Sequence, residues 1–267
     1  MSARDLPVDV LAGPGCQLRP GAYVAPGTTL GQQVWVGPNA SFVDPEPGQA
    51  AAVAEDGVQI GAGAVIFPAL TLGRACVVRP GAVVQRSVPP GAIVEGHPAA
   101  IVGYVNMTPA LQGERRRAED DRTSRVVATG VRGVTVHNLP LVSDLRGDLT
   151  VGEFPRDVPF DPRRYFIVFG VPGREVRGEH AHWRCHQFLV CVKGHMSVVA
   201  DDGAQRVEVA LDAPNRGLYL PPLTWATQYK HSSDAVLLVF ASDHYDSADY
   251  IRDYDRFLAA VHGGDQP

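Results

Sequence analysis

Apolar residues return at every sixth position through the first third of the chain. Leu18, Val24, Leu30, Val36 and Phe42 lie six apart, and Ile60, Ile66, Leu72, Val78 and Val84 resume the series. Phe42 and Ile60 are separated by eighteen residues, three sixes, so the register survives the interruption between them. Gly and Pro recur between these positions, as in Pro20-Gly21, Pro26-Gly27 and Gly37-Pro38. A period of six is neither the two of an exposed strand nor the 3.6 of a helix. Short strands joined by tight turns, with one inward residue per rung, predict a β-helix whose rungs stack to bury a shared core. The stretch Asp44 to Asp56 is rich in Pro and Ala and predicts a loop thrown out of one coil. The repeat ends at Ser87 to Ala99.

From Val134 the pattern changes. Short β-rich runs appear at Val134–Val136, Tyr165–Phe169, Gln187–Val192, Ser197–Val199 and Val236–Phe240, separated by turn residues such as Asp201-Asp202-Gly203. Runs of this length and spacing predict a barrel or sandwich. Between the halves, Gln112 to Arg122 mixes both charge signs without an apolar stripe and reads as a polar connector, in which Arg115 to Arg117 could at most hold a phosphate. Asp249 to Leu258 predicts a closing helix, with Tyr250, Tyr254 and Phe257 as packing residues. The expected organisation is all-β: residues 1–104 as a solenoid, 105–133 as a linker and 134–267 as a barrel.

The 267 residues suffice for two domains, and 45% apolar and 20% charged residues are ordinary for a chain that buries a core. A net charge of -5 with no long basic run leaves no footprint for nucleic acid. No apolar run approaches the length of a membrane span, and the first residues lack the apolar core of a signal peptide. The four cysteines, Cys16, Cys76, Cys185 and Cys191, form no C-x-x-C pair, so reduced thiols and a cytoplasmic location are expected.

The chemistry concentrates at Arg177-Gly178-Glu179-His180-Ala181-His182, with Gln187 and Gly194 behind it. Two histidines at i and i+2 on a strand point to one face. The spacing resembles the first motif of the cupin barrels, where His, His and Glu hold a metal. Here Gln187 replaces the Glu. Where a second cupin motif supplies a further His, Pro221-Pro222-Leu223-Thr224-Trp225-Ala226 ends in Ala226. Two remaining ligands fall short of the roughly three that a catalytic metal site needs. We therefore expect no metal, and imidazoles free for proton transfer near neutral pH.

Together with Cys185-His186-Gln187, Trp225, Tyr245-Asp246 and Asp249-Tyr250-Ile251-Arg252-Asp253-Tyr254, the segment resembles the sugar nucleotide 3,4-ketoisomerases, cupins that act on dTDP-4-keto-6-deoxyglucose without a metal. The first half resembles the left-handed β-helix of the hexapeptide acyltransferases, notably those that acetylate 3-amino sugar nucleotides, in Val36-Gly37-Pro38-Asn39 and Gly96-His97-Pro98-Ala99. Fusions of the two are known as WxcM-like or FdtD-like proteins. The resemblance implies a left-handed parallel β-helix followed by a cupin-type double-stranded β-helix barrel. It implies a ketoisomerase needing no cofactor, and an N-acetyltransferase using acetyl-CoA on a 3-amino-3,6-dideoxyhexose nucleotide. dTDP-linked keto and amino sugars and acetyl-CoA would be the partners, and a homo-oligomer, trimer or hexamer, the assembly. His180 and His182 would carry the protons, in an order the sequence leaves open. The phenol such enzymes place in mid-strand falls at Ile167, so Tyr165, two residues earlier, is the expected substitute. Arg177, Gln187, Trp225 and Tyr245 would line the substrate site, Trp225 and Tyr245 equally readable as core. Asn39 and Asp44 would hold the amine in the first half, unless that half serves only to assemble the protein.

Overall fold

A computed structural model of the protein describes residues 9–105, 125–172 and 175–263. The chain forms two compact units, Met1–Asn106 and Met107–Pro267. The acidic-basic segment Gln112 to Arg122, with Arg115 to Arg117, lies outside the described residues.

In the first unit the chain passes in turn through three sheets built from two-residue strands. Leu11–Ala12, Thr29–Leu30, Val53–Ala54 and Thr71–Leu72 stack in parallel. So do Gln17–Leu18, Trp35–Val36, Gln59–Ile60 and Val77–Val78, and likewise Ser41–Phe42, Val65–Ile66 and Val83–Val84. Within a strand the second residue turns inward. Leu30, Phe42, Ile60, Ile66 and Leu72 are thereby fully buried, which is the physical content of the six-residue period. The corners need room as well as apolar residues. A Cβ on Gly61 would stand 2.4 Å from the backbone nitrogen of Pro80, one coil further on, so only glycine fits that corner.

The predicted loop from Asp44 to Asp56 is shorter than its composition suggested. Val53–Ala54 is a rung, with Ala54 fully buried between Leu30 and Leu72. Its methyl keeps the phase of six without the hydropathy of a rung residue. The excursion lengthens a single coil, so that Thr29 pairs with Val53, twenty-four residues on, where neighbouring coils pair at eighteen.

The second unit consists of two larger antiparallel sheets and a two-stranded hairpin, Leu141–Asp144 with Gly147–Thr150. One sheet runs in the order Val126–Ala128, Thr135–Asn138, Arg216–Leu220, Gln187–Lys193, Val236–Ala241, Arg164–Phe169. The other runs Arg206–Leu211, Met196–Asp201, Trp225–Tyr229, Arg177–His182, Tyr250–Ile251. Alternate residues of both feed one core that includes Leu189, Cys191, Val198, Val209, Leu218, Ala226 and Val239. Residues assigned to the linker contribute: Val126–Ala128 pairs with Thr135–Asn138, and Val131 is buried in the core.

The tail also departs from expectation. Ser247–Asp249 is a short 3-10 turn, Tyr250–Ile251 is a strand on the second sheet, and the helix begins only at Tyr254 and runs to Val261. Asp253 caps it by accepting from the backbone N–H of Arg256 at 2.7 Å, which places its start five residues later than expected.

Candidate active site

The strand Arg177–His182 pairs with Trp225–Tyr229 on one side and Tyr250–Ile251 on the other. Ala181 turns outward onto Ile251 and Phe257, so His180 and His182 turn into the unit. Their rings lie 5.0 Å apart at 81°. The approach to His180 is bent. Gly178 has φ +82 and Glu179 φ +53, and the pairing register shifts between Gly178 and His180. Such a bulge re-aims the residue that follows it. A Cβ on Gly178 would come within 2.6 Å of the carbonyl oxygen of Ala226, so the Gly of the motif is a steric requirement.

The two imidazoles are held differently. His180 donates from Nδ1 to the carbonyl of Gly178 at 2.8 Å, and its Nε2 is uncommitted among the described residues. His182 is buried and engaged at both nitrogens: Nδ1 with Oδ2 of Asp249 at 2.9 Å, and Nε2 with the side-chain amide nitrogen of Gln187 at 3.1 Å. Asp249 also accepts from the backbone N–H groups of Arg184 at 2.9 Å and Cys185 at 3.2 Å. Burial lowers the pKa of His180, with the Arg252 charge acting in the same direction against the Gly178 hydrogen bond. Burial, then the neighbouring His180, push His182 down to about 4, against the opposing pull of Asp249. Burial thus favours the neutral form of both rings.

His182, Cys185 and Asp249 bring a nitrogen, a sulfur and an oxygen within 4.8 Å of one another. The donor set does not suit a cation. Oδ2 of Asp249 is occupied by Nδ1 of His182 and by a backbone N–H, so two of the three groups are already spent on each other. Ala226 sits directly across from His180 in the ladder, so the missing second-motif histidine would have stood against this pair.

Of the residues singled out from sequence, His180, His182 and Gln187 come together, while the exposed Tyr245 has its ring 5.9 Å from that of Tyr250. Tyr165 does not join them. It is 67% exposed on the outer face of Arg164–Phe169, as is Ile167, while Arg164 shares the inner face with Phe166 and Val168. Arg177 is exposed at the start of its strand opposite Gln228, where its charge acts on His231. Trp225 packs on Tyr254 and Phe257 at 5.1 and 5.7 Å, in the cluster beneath the helix. Cys191 is core. In the first unit Asn39 occupies a turn at φ +56 with its side chain against Gly21, and Asp44 accepts a hydrogen bond from the Tyr23 hydroxyl at 2.6 Å.

Sequence reasoning missed four neighbours of the pair. Asp249 and Tyr250 were assigned to a helix. Instead the Tyr250 ring lies 4.9 Å from that of His180 and 4.3 Å from that of His182. Arg252 stands over Tyr250 at 4.2 Å, and Arg164 over Tyr245 at 5.4 Å. The Nε of Arg164 is buried with no acceptor among the described residues. The alternation of Arg164, Phe166 and Val168 against Tyr165, Ile167 and Phe169 was the signal that could have found Arg164.

The site is thus a histidine pair on an all-β unit, His180 half-buried and His182 buried, with Arg164 and Arg252 nearby. The family described as FdtA: WxcM-like, C-terminal matches residues 132–262. A TDP-4-oxo-6-deoxy-alpha-D-glucose-3,4-oxoisomerase of Aneurinibacillus thermoaerophilus is 43% identical over 122 residues, 46% of this chain and 88% of that protein. Among solved structures, a 3,4-ketoisomerase from Helicobacter canadensis is 34% identical, covering 49% of this chain and 98% of that one with a TM-score of 0.48. A histidine-to-asparagine mutant of the 3,4-ketoisomerase QdtA from Thermoanaerobacterium thermosaccharolyticum, in complex with TDP-4-keto-6-deoxyglucose, is 32% identical, covering 50% and 96% with a TM-score of 0.49. The chain belongs to the FdtA, WxcM-like family, and its second unit is an isomerase.

Proposed function

We propose that the second unit is a cupin-type barrel that converts dTDP-4-keto-6-deoxyglucose to its 3-keto isomer, with His180 as the proton carrier. The observation that carries this reading is that Nδ1–H of His180 is spent on Gly178 while its Nε2 has no partner among the described residues, and burial favours the neutral ring. His180 takes the proton from C3, the C3–H electron pair becomes the C3–C4 double bond, and O4 becomes an enolate oxygen. The hydroxyl proton passes from O3 to O4, the C3 ketone forms, and the imidazolium returns its proton to C4. No electron leaves the sugar. Burial and the Arg252 charge disfavour the imidazolium and so promote that return. Arg164, with a buried Nε that has no acceptor among the described residues, suits an enediolate or diphosphate oxygen, and Tyr245 would lie at the edge of the sugar. The 43% identity to an oxoisomerase of that substrate supports the choice of sugar.

Incubation with dTDP-4-keto-6-deoxyglucose in deuterated water, followed by NMR at C3 and C4, tests the reading. The C3 and C4 signals should convert to those of the 3-keto isomer, with deuterium at C4 to the extent that the imidazolium exchanges with solvent, and His180→Asn should slow the conversion by roughly 10²–10⁴-fold. Neither conversion nor label at either carbon would sink it.

For the first unit we propose a left-handed parallel β-helix of the hexapeptide acyltransferase kind, acetylating a 3-amino-3,6-dideoxyhexose nucleotide with acetyl-CoA and assembling as a trimer or, through both units, a hexamer. The eighteen-residue pairing of three parallel sheets supports the coil. The hydrogen bond that already holds Asp44 to Tyr23 favours a second reading, a coil kept for assembly alone. Saturable binding of CoA in a calorimetric titration supports the enzyme; its absence supports the scaffold.

A further inference from the structure

His182 differs from His180 in having no nitrogen to spare. Asp249 cannot donate as a carboxylate, so Nδ1 of His182 must carry the hydrogen of the 2.9 Å contact. Nε2 is then a lone pair, and the amide N–H of Gln187 at 3.1 Å satisfies it. One ring tautomer and one amide orientation are mutually consistent, and both partners come from the surrounding sheet and turn. Asp249 is held in turn by the backbone N–H groups of Arg184 and Cys185, which fix the acceptor facing the ring. Gln187 stands where a metal-binding barrel would carry an acid. A carboxylate there would call for a hydrogen on Nε2 as well, turning His182 into an imidazolium against the ring of His180.

We propose that Asp249 and Gln187 are positioning residues that lock His182 as its neutral Nδ1–H tautomer, so that the pair contains one mobile proton carrier, His180, and one fixed wall. The locked ring packs edge-on to His180 and against Tyr250, and orients the first imidazole without competing for its proton. The groups facing it are Asp249, Gln187, His180, Cys185, Tyr250 and Arg164. This inference rests on the isomerase reading for its consequence, but the lock itself is measurable without turnover.

The test is nitrogen-15 NMR of the full chain labelled at histidine, with the His182 signals assigned by their loss in His182→Asn. His182 should show the Nδ1–H tautomer and no titration between about pH 5 and 8. In Asp249→Asn, whose amide can donate to Nδ1, the ring should change to the Nε2–H form. Isomerisation should fall on the order of 10–100-fold in kcat with KM nearly unchanged, and Asp249→Glu should recover part of it. If Asp249→Asn fails to fold, Gln187→Glu serves: His182 should then titrate within that pH range. An Nε2–H tautomer in the unaltered protein, titration of His182 together with His180, or a change of kcat under twofold in a folded Asp249→Asn overturns the proposal. Absence of isomerisation in the unaltered protein, with the tautomer as expected, overturns only the activity assigned above.

Discussion

The two units store their information at different distances along the chain. In the first, every inward residue meets its partner one coil away, as Ile60 meets Val36 and Val78, and each rung repeats the task of the one before. In the second, the contacts that matter join remote segments: Asp249 reaches His182 across 67 residues, and Arg164 reaches the same pocket from a third strand. A repeat tolerates local change because its core is a sum of like terms. A site assembled from single residues has no such redundancy.

That contrast can be broken most forcefully in the repeat. Leu72→Ala should cost the first unit about 2–5 kcal/mol, read as a shift of its denaturant midpoint, because the side chain is fully buried between rungs. Isomerase turnover of the same variant should be unaltered, and a parallel loss would show that the units are not independent. A smaller effect concerns acid. The folded pKa of His182, about 4, lies below the ordinary 6.5, so the unfolded chain binds the extra proton in that interval. Stability should decline as pH falls from about 6.5 toward 4, and His182→Asn should flatten that part of the profile. The smallest effect is expected at Tyr165, exposed on the outer face of its strand. Tyr165→Phe should change isomerisation less than about twofold in a steady-state assay; a large loss would return the phenol to the mechanism.

The same contrast explains what could be read beforehand. The rungs were legible from Leu18 to Val84 because period and burial are one signal there, and the rung at Ala54 escaped only because a methyl carries little hydropathy. The histidine pair and Gln187 were legible because they sit close together on two consecutive strands. Asp249 and Tyr250 were not, since aromatic spacing in the tail imitates a helix and nothing local reports that Tyr250–Ile251 pairs with Ala181 and His182. Arg177 and Trp225 entered with the family resemblance, and of the two readings open for Trp225 strand alternation favours packing, since it turns the ring under the helix.

The strand Arg164–Phe169 is bound to Val236–Ala241 through six consecutive residue pairs, from Arg164 with Ala241 to Phe169 with Val236. It lies at the border of its sheet, with that one neighbour to hold it in place. A slip by one residue would swing the guanidinium out to water and bring a phenol inward. The choice between a cationic and a hydroxylic wall beside the histidines is thus made by ladder alignment, and a substitution in the remote Val236–Ala241 strand could rewrite the chemistry of the pocket without touching any residue in it.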